Sequence, residues 1–335
     1  MTKGKILFVC GSLNQTTMMH EISKHIHDYD CFFTPFYCDG FLELLRKRNL
    51  LDFTILGGRF KEQTINYLAS NNLQVDLNGN SNKYDLVFTC SDLIIPRNIR
   101  KYKLILVQEG MTDPENLLYY LVKYFKLPRY LAGTSMHGVS NYYDKFCVAS
   151  YGYKELFVKK GADPNKIVVT GIPNFDNAKK FLANDFPFKH FVLVATSDSR
   201  ETFKYENRKK FILNALRIAN GRQLIFKLHP NENFVRAEKE INNLAPSALV
   251  YTNGNIGEMI ANCDVLITKY SSVVYLGLAL GKEVYSDFNL DLIKKLMPVQ
   301  NNGTSGQRIA KVGLELISSV EGHFVEDYEL AYQEI

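Results

Sequence analysis

Three stretches of the chain carry side chains suited to holding a phosphate. In Lys227-Leu-His229-Pro230 a histidine follows an apolar run, and the proline after it fixes the next turn. Such an imidazole can donate a hydrogen bond to a phosphate oxygen. Lys269-Tyr-Ser271-Ser272 precedes the apolar stretch Val273 to Gly281. Serines at a helix start lie where unpaired N–H groups and the helix dipole favour an anion, though a serine there also serves as a plain N-cap. Thr196-Ser197-Asp-Ser-Arg200 adds hydroxyls and a cation. Together these predict phosphate contacts from His229, Pro230, Ser271, Ser272, Thr196, Ser197 and Lys227. Neither G-x-x-x-x-G-K-[ST] nor G-x-G-x-x-G is present, which disfavours P-loop hydrolysis and a standard dinucleotide site.

The segments K-L-H-P (227–230) and D-V-L-I-T-K-Y-S-S-V-V-Y-L-G-L-A-L-G-K-E-V (264–284) resemble the nucleotide-binding half of GT-B glycosyltransferases. The likeness is to bacterial surface-polysaccharide transferases with H-P and S-S motifs. These are the sialyl- and Kdo-transferases that use CMP-sugars and the CDP-glycerol or CDP-ribitol polyol-phosphate transferases. It covers about residues 145 to 290, and K-K-G-A-D-P-N-K-I-V-V-T-G-I-P-N-F-D (159–176) resembles the GT-B interdomain crossover. The resemblance implies an α/β protein with two Rossmann-like domains facing each other across a cleft. It also implies that His229, Ser271 and Ser272 hold the donor phosphate. One position departs from the pattern: many relatives carry a glutamate shortly after the S-S pair, where this chain reads Val273-Val-Tyr275-Leu-Gly.

In the first half, the apolar run Lys103 to Val107 ends in Gln108-Glu109-Gly110. A carboxylate there suits a general base, with Gly110 permitting close approach of a substrate. The tripeptide is a partial match to the D/E-D/E-G motif of bacterial sialyltransferases, with Gln108 in place of the first acid. Met136-His137-Gly138 competes for the role, because it resembles the H-G motif that supplies the catalytic histidine of polyol-phosphate transferases. In those enzymes the histidine follows its strand directly, whereas His137 lies 30 residues beyond Val107. Glu109 therefore ranks ahead of His137 as the expected base. Gly11 and Ser12, after the first apolar run, are expected on the acceptor side. His20, His25 and His27 form no convincing ligand set, so no metal and no other cofactor is expected. Protein donors would then neutralise the leaving phosphate.

These residues need elements that place them at strand ends. Short apolar runs alternate with helix-like stretches, the signature of parallel sheets covered on both faces. Strands are expected at Lys5–Cys10, Asp52–Leu56, Tyr84–Thr89, Lys103–Val107, Lys145–Ala149 and Ile167–Thr170. A second series is expected at His190–Ala195, Gln223–Leu228, Ala248–Tyr251, Asp264–Thr268 and Glu283–Tyr285. Helices are expected over about 15–27, 206–219, 232–244, 255–262 and 272–280. The domains follow as 1–175 on the acceptor side, 185–320 for the nucleotide-sugar, and a tail 321–335 that packs back on the first domain. Open parallel sheets bind ligands at the carboxyl ends of their strands, where the phosphate-binding stretches fall.

Composition bounds the partners. The 335 residues are 46% hydrophobic and 22% charged, with a net charge of +5 that is too small and too scattered to indicate a nucleic-acid binder. Six cysteines without a C-x-x-C pair read as reduced thiols rather than a disulfide scaffold. No run approaches the ~20 apolar residues of a membrane span, and no signal peptide is evident. The expected location is the cytoplasm, or peripherally the inner face of a membrane. Residues 117–131, L-L-Y-Y-L-V-K-Y-F-K-L-P-R-Y-L, fit either a buried domain helix or a surface touching the membrane interface. The expected donor is a CMP-linked acidic sugar such as Kdo or sialic acid, and the acceptor a glycan or lipid-linked glycan of the bacterial surface. A CDP-polyol phosphotransferase, a UDP-sugar 2-epimerase and a non-catalytic nucleotide-sugar binder are the alternatives.

Overall fold

The computed structural model describes residues 3–52, 54–201 and 205–318. The chain divides into two compact units. The first runs to Asn174 and resumes at Thr304, and the second is Phe175–Gly303.

The first unit contains β1 (Gly4–Cys10), α1 (Leu13–Ser23), β2 (Tyr29–Pro35), α2 (Gly40–Lys47), α3 (Gly58–Ser70), β3 (Leu86–Thr89) and β4 (Lys103–Val107). It continues through α4 (Leu117–Phe125), β5 (Lys145–Val148), α5 (Tyr151–Lys160) and β6 (Ile167–Val169). The second holds β7 (Val192–Ala195), α6 (Arg208–Ala219), β8 (Leu224–Lys227), α7 (Phe234–Leu244), β9 (Leu249–Tyr251) and α8 (Ile256–Asn262). It ends with β10 (Val265–Thr268), α9 (Val273–Ala279), β11 (Glu283–Tyr285) and α10 (Leu290–Leu296), after which α11 (Ser305–Ser318) belongs to the first unit again.

Both sheets are parallel throughout, ordered β2-β1-β3-β4-β5-β6 and β11-β10-β7-β8-β9. Strands buried on both faces read as continuous apolar runs, and β3, β7, β8 and β10 are buried along their whole length. Register is fixed by large side chains: Phe8 pairs with Phe33 and Phe88 across the sheet, and its ring stacks on theirs at 5.1 and 5.0 Å. The order reverses direction between β1 and β3 in one unit and between β7 and β10 in the other. At such a switch point the following loops diverge to opposite sides and leave a crevice at the carboxyl ends.

Three sequence expectations change. Residues 52 and 54–56 lie in turns and a bend rather than a strand, and the helix expected over 15–27 stops at Ser23. The boundary at 320 gives way to one at 303, because Ile309, Ala310 and Val312 of α11 are buried in the first unit's core. Gly313 is required there, since a Cβ would collide with the Phe88 ring. The expected tail 321–335 lies outside the described residues.

Candidate functional site

In the second unit, the loops after β10, β7 and β8 leave three adjacent strands at one rim, in register at Thr268, Ala195 and Lys227. The loop after β8 is held from below. Glu232, 6% exposed, hydrogen-bonds the buried Thr196 hydroxyl, pairs with the Arg208 guanidinium and accepts the His229 backbone N–H at 3.0 Å. The Glu232 N–H returns to the His229 carbonyl at 3.0 Å. This side chain reaching back three residues has the reciprocity of a capping box, and the H-P-x-E spacing is the signal sequence reasoning missed. Thr196 also accepts the His229 N–H at 3.0 Å, so one carboxylate and one hydroxyl tie two loops together.

The His229 ring stands half-exposed above this brace. Its Nδ1 accepts the Asn231 N–H at 3.2 Å, which places the ring proton on Nε2 and makes that nitrogen a donor. Ser271 and Ser272 are half-buried before α9, and the Ser272 side chain makes no cap bond. The remaining expected donors face inward. Lys227 is 7% exposed, its ammonium donates to the Leu228 and Thr252 carbonyls at 3.0 Å each, and burial lowers its pKa. The Ser197 hydroxyl meets Ser199 at 2.9 Å and Glu206 at 3.4 Å. Pro230 is exposed. Tyr275, where relatives carry a glutamate, is buried with its ring 5.8 Å from that of Phe175.

In the first unit, Glu109 follows β4 and Ser12 follows β1, at the same carboxyl rim. The Glu109 carboxylate accepts from the Ser12 hydroxyl at 3.1 Å, the Asn14 amide at 3.2 Å and the Gln15 amide. Ser12 also caps α1, accepting the Gln15 N–H at 3.3 Å. Gly11 leaves room beneath for the Gln15 amide: a Cβ there would push that amide from its place against Glu109. Gln108 is fully buried, accepting the Ala149 N–H at 2.8 Å and donating to the Gly110 carbonyl at 2.7 Å. Only an amide does both, so an acid at 108 would lose the tie that shapes the Glu109-Gly110 bend.

His137 lies close to a partner that the sequence gave no reason to pair with it. Asp92, in the loop after β3 and completely buried, places Oδ1 3.3 Å from His137 Nδ1. Its oxygens also accept the Gly138 N–H at 2.9 Å and the Ser140 N–H at 3.0 Å. A carboxylate facing Nδ1 puts the proton on that nitrogen and leaves the lone pair on Nε2. Nε2 is buried and has no hydrogen-bond partner among the described residues. Burial lowers the His137 pKa, against the opposing pull of Asp92 and Glu109, so the ring is neutral at pH 7.

Among the described residues no group of three or more His, Cys, Asp or Glu side chains is arranged to hold a metal. His20 instead contacts the Tyr67 hydroxyl at 3.0 Å, and His25 lies 3.8 Å from Glu21. An Asp-x-Asp spacing, the usual metal carrier of another large glycosyltransferase fold, occurs at Asp28 and Asp30. It enters β2 at the end of the sheet opposite the rim.

The chain matches no protein-family model and no curated protein. It does match solved structures. A UDP-N-acetylglucosamine 2-epimerase from Neisseria meningitidis bound to UDP-GlcNAc is 14% identical, with a TM-score of 0.56 over 93% of this chain and 100% of that one. The wall teichoic acid polymerase TagF, in a variant form, is 14% identical, with a TM-score of 0.53 over 96% of this chain and 90% of that one. A UDP-GlcNAc 2-epimerase from Methanocaldococcus jannaschii is 13% identical, with a TM-score of 0.50 over 92% and 99%. At these identities the likeness establishes the fold: an α/β protein with two parallel Rossmann-like sheets, GT-B-like.

Proposed function

We propose that the chain is a nucleotide-dependent enzyme that transfers a polyol phosphate from a CDP-polyol to a hydroxyl acceptor, with His137 as the general base. One observation carries this reading. The Glu109 carboxylate already accepts three hydrogen bonds, whereas His137 is neutral, oriented by Asp92, and has an unpartnered Nε2. His137 Nε2 has no competing partner, and it would serve as a base once the ring is brought out to a substrate from its place beside the Phe146 and Phe157 rings.

In the proposed reaction the acceptor hydroxyl attacks the phosphorus bearing the polyol. A new O–P bond forms, the bridging P–O bond breaks, CMP leaves, and the hydroxyl proton passes to His137 Nε2. The second unit would hold the nucleotide: His229 Nε2–H and the Ser271 and Ser272 hydroxyls donate to the phosphate oxygens as charge builds on the leaving group. Fixed donors of this kind suit a transfer needing neither metal nor other cofactor. The TagF likeness and the H-P, S-S and H-G motifs support the same reading. Transfer of a CMP-linked acidic sugar has less support, since it asks Glu109 to be the base.

A second reading, a UDP-sugar 2-epimerase, is favoured by the carboxylates of Asp92 and Glu109 that accompany His137 in the first unit. A panel of CDP-glycerol, CDP-ribitol, CMP-sialic acid and UDP-GlcNAc, with a polyol-phosphate acceptor present, separates the readings. CMP release from a CDP-polyol, dependent on acceptor, is the expected result. Conversion of UDP-GlcNAc, or consumption of CMP-sialic acid alone, would overturn it.

A further inference from the structure

Helix α4 is turned inside out relative to an ordinary domain helix. Of its nine residues only Tyr119 and Val122 are buried. They pack in a small cluster of their own with Ala132 and Met136 rather than in the main core. Leu117, Tyr124 and Phe125 are 76%, 76% and 70% exposed, and Leu118, Tyr120 and Leu121 also face solvent. With Leu127 and Leu131, eight of the 25 exposed large apolar or aromatic residues among the described ones fall between 117 and 131. Scattered singly they would need no explanation, but a contiguous patch marks a surface that meets something apolar.

Cations outnumber acids beside this patch. Residues 117–131 contain Lys123, Lys126 and Arg129 and no acid. These three cations and Lys160 line a cavity of about 360 Å³ against the Tyr119 ring. Two acids precede the helix against these four cations: Asp113 accepts the Thr134 hydroxyl at 2.6 Å, and Glu115 accepts the hydroxyl of Tyr120 at 3.0 Å. Self-association through a two-fold would bring this cationic patch against its own copy, and like charges would oppose the contact. An anionic lipid surface meets both features at once, taking the aliphatic and aromatic side chains into the acyl boundary and setting phosphate head groups against the lysines.

We infer that α4 and the turn after it form a docking surface for anionic membranes. The helix is nine residues long, so it lies in the interface plane. This inference is independent of the reaction proposed above.

Vesicle flotation of the full chain tests it, using phosphatidylcholine vesicles with and without about one-third phosphatidylglycerol. The protein is expected to float with the anionic vesicles and to be released as salt is raised. The triple variant Leu117→Ser, Tyr124→Ser, Phe125→Ser should lose roughly tenfold or more in partitioning. Its circular dichroism and thermal midpoint should be unchanged, because the three side chains are exposed. Lys123→Glu with Lys126→Glu should abolish the preference for anionic over neutral vesicles. A protein that stays at the bottom of the gradient with every vesicle, or floats equally well in both variants, overturns the inference. So does a dimer in sedimentation velocity that the triple variant dissociates while no vesicle is bound, which would make the face a contact between copies of the chain.

Discussion

Two histidines, one in each unit, are held in opposite protonation patterns. His137 presents Nδ1 to a buried carboxylate and leaves a lone pair at Nε2. His229 accepts a backbone N–H at Nδ1 and carries its proton at Nε2. The first ring is 6% exposed and neutral through burial, while the second has a side chain 37% exposed. The same side chain is thereby prepared to take a proton in one unit and to donate a hydrogen bond in the other. What differs is the group nearest Nδ1, the Asp92 carboxylate at 3.3 Å in one and the Asn231 N–H at 3.2 Å in the other, where the Asp198 carboxylate stands off at 3.8 Å. Each ring depends on one buried acid: Asp92 grips the 137–140 backbone, and Glu232 grips the turn that carries His229.

The contrast can be broken most sharply at His137. His137→Asn is expected to lower kcat by about 10²–10⁴-fold with CMP affinity unchanged, read by turnover and calorimetry. Glu109→Gln should cost far less, and an equal loss in the two variants would return the role of base to Glu109. On the other side, Glu232→Ala removes one of the two carboxylates paired with the buried Arg208 guanidinium, Glu206 being the other, and should destabilise the protein by ~1.5–3 kcal/mol in urea unfolding. That variant should also loosen nucleotide binding, since both loops lose their brace. His229→Ala should weaken CMP binding by ~1.5–3 kcal/mol while leaving the proton-transfer step intact. Ser272→Ala should weaken it by only ~0.5–1.5 kcal/mol, one neutral hydrogen bond.

The smallest expected effect concerns pH. The His137 pKa is lowered in the folded state, so above the ordinary histidine value both states hold it neutral and the full stability is present. As pH falls below that value the unfolded chain takes up the proton first, and stability declines until the folded form is protonated as well. Urea midpoints between about pH 7 and pH 5 should fall less steeply in His137→Asn than in the parent chain. Equal slopes would mean that His137 is not held neutral.

Most strands of the second unit were legible because β7, β8 and β10 are buried on both faces and must be apolar along their length. The strand β2 escaped notice for the converse reason. It lies at the sheet edge, half of it is only partly buried, and it ends in Pro35. That composition is tolerated at an edge and looks like a loop in sequence. At 52 and 54–56 turns replace the expected strand, because a short stretch of mixed character suits a turn equally well. At the site, the spacing of H-P and S-S was visible, but the inward aim of Thr196 and Lys227 was not, since side-chain direction at a strand's last residue depends on what the next loop packs against.

The sequence by itself determined the parallel α/β architecture and the place of the H-P and S-S stretches after strands, because apolar periodicity and strand-end motifs are local properties. Tertiary structure alone decided which side chains meet. Asp92 and His137 are 45 residues apart in the chain, and Glu109 meets Asn14 and Gln15 from 95 and 94 residues away. How each carboxylate and imidazole is bonded is settled by those distant partners, and no window of sequence contains them.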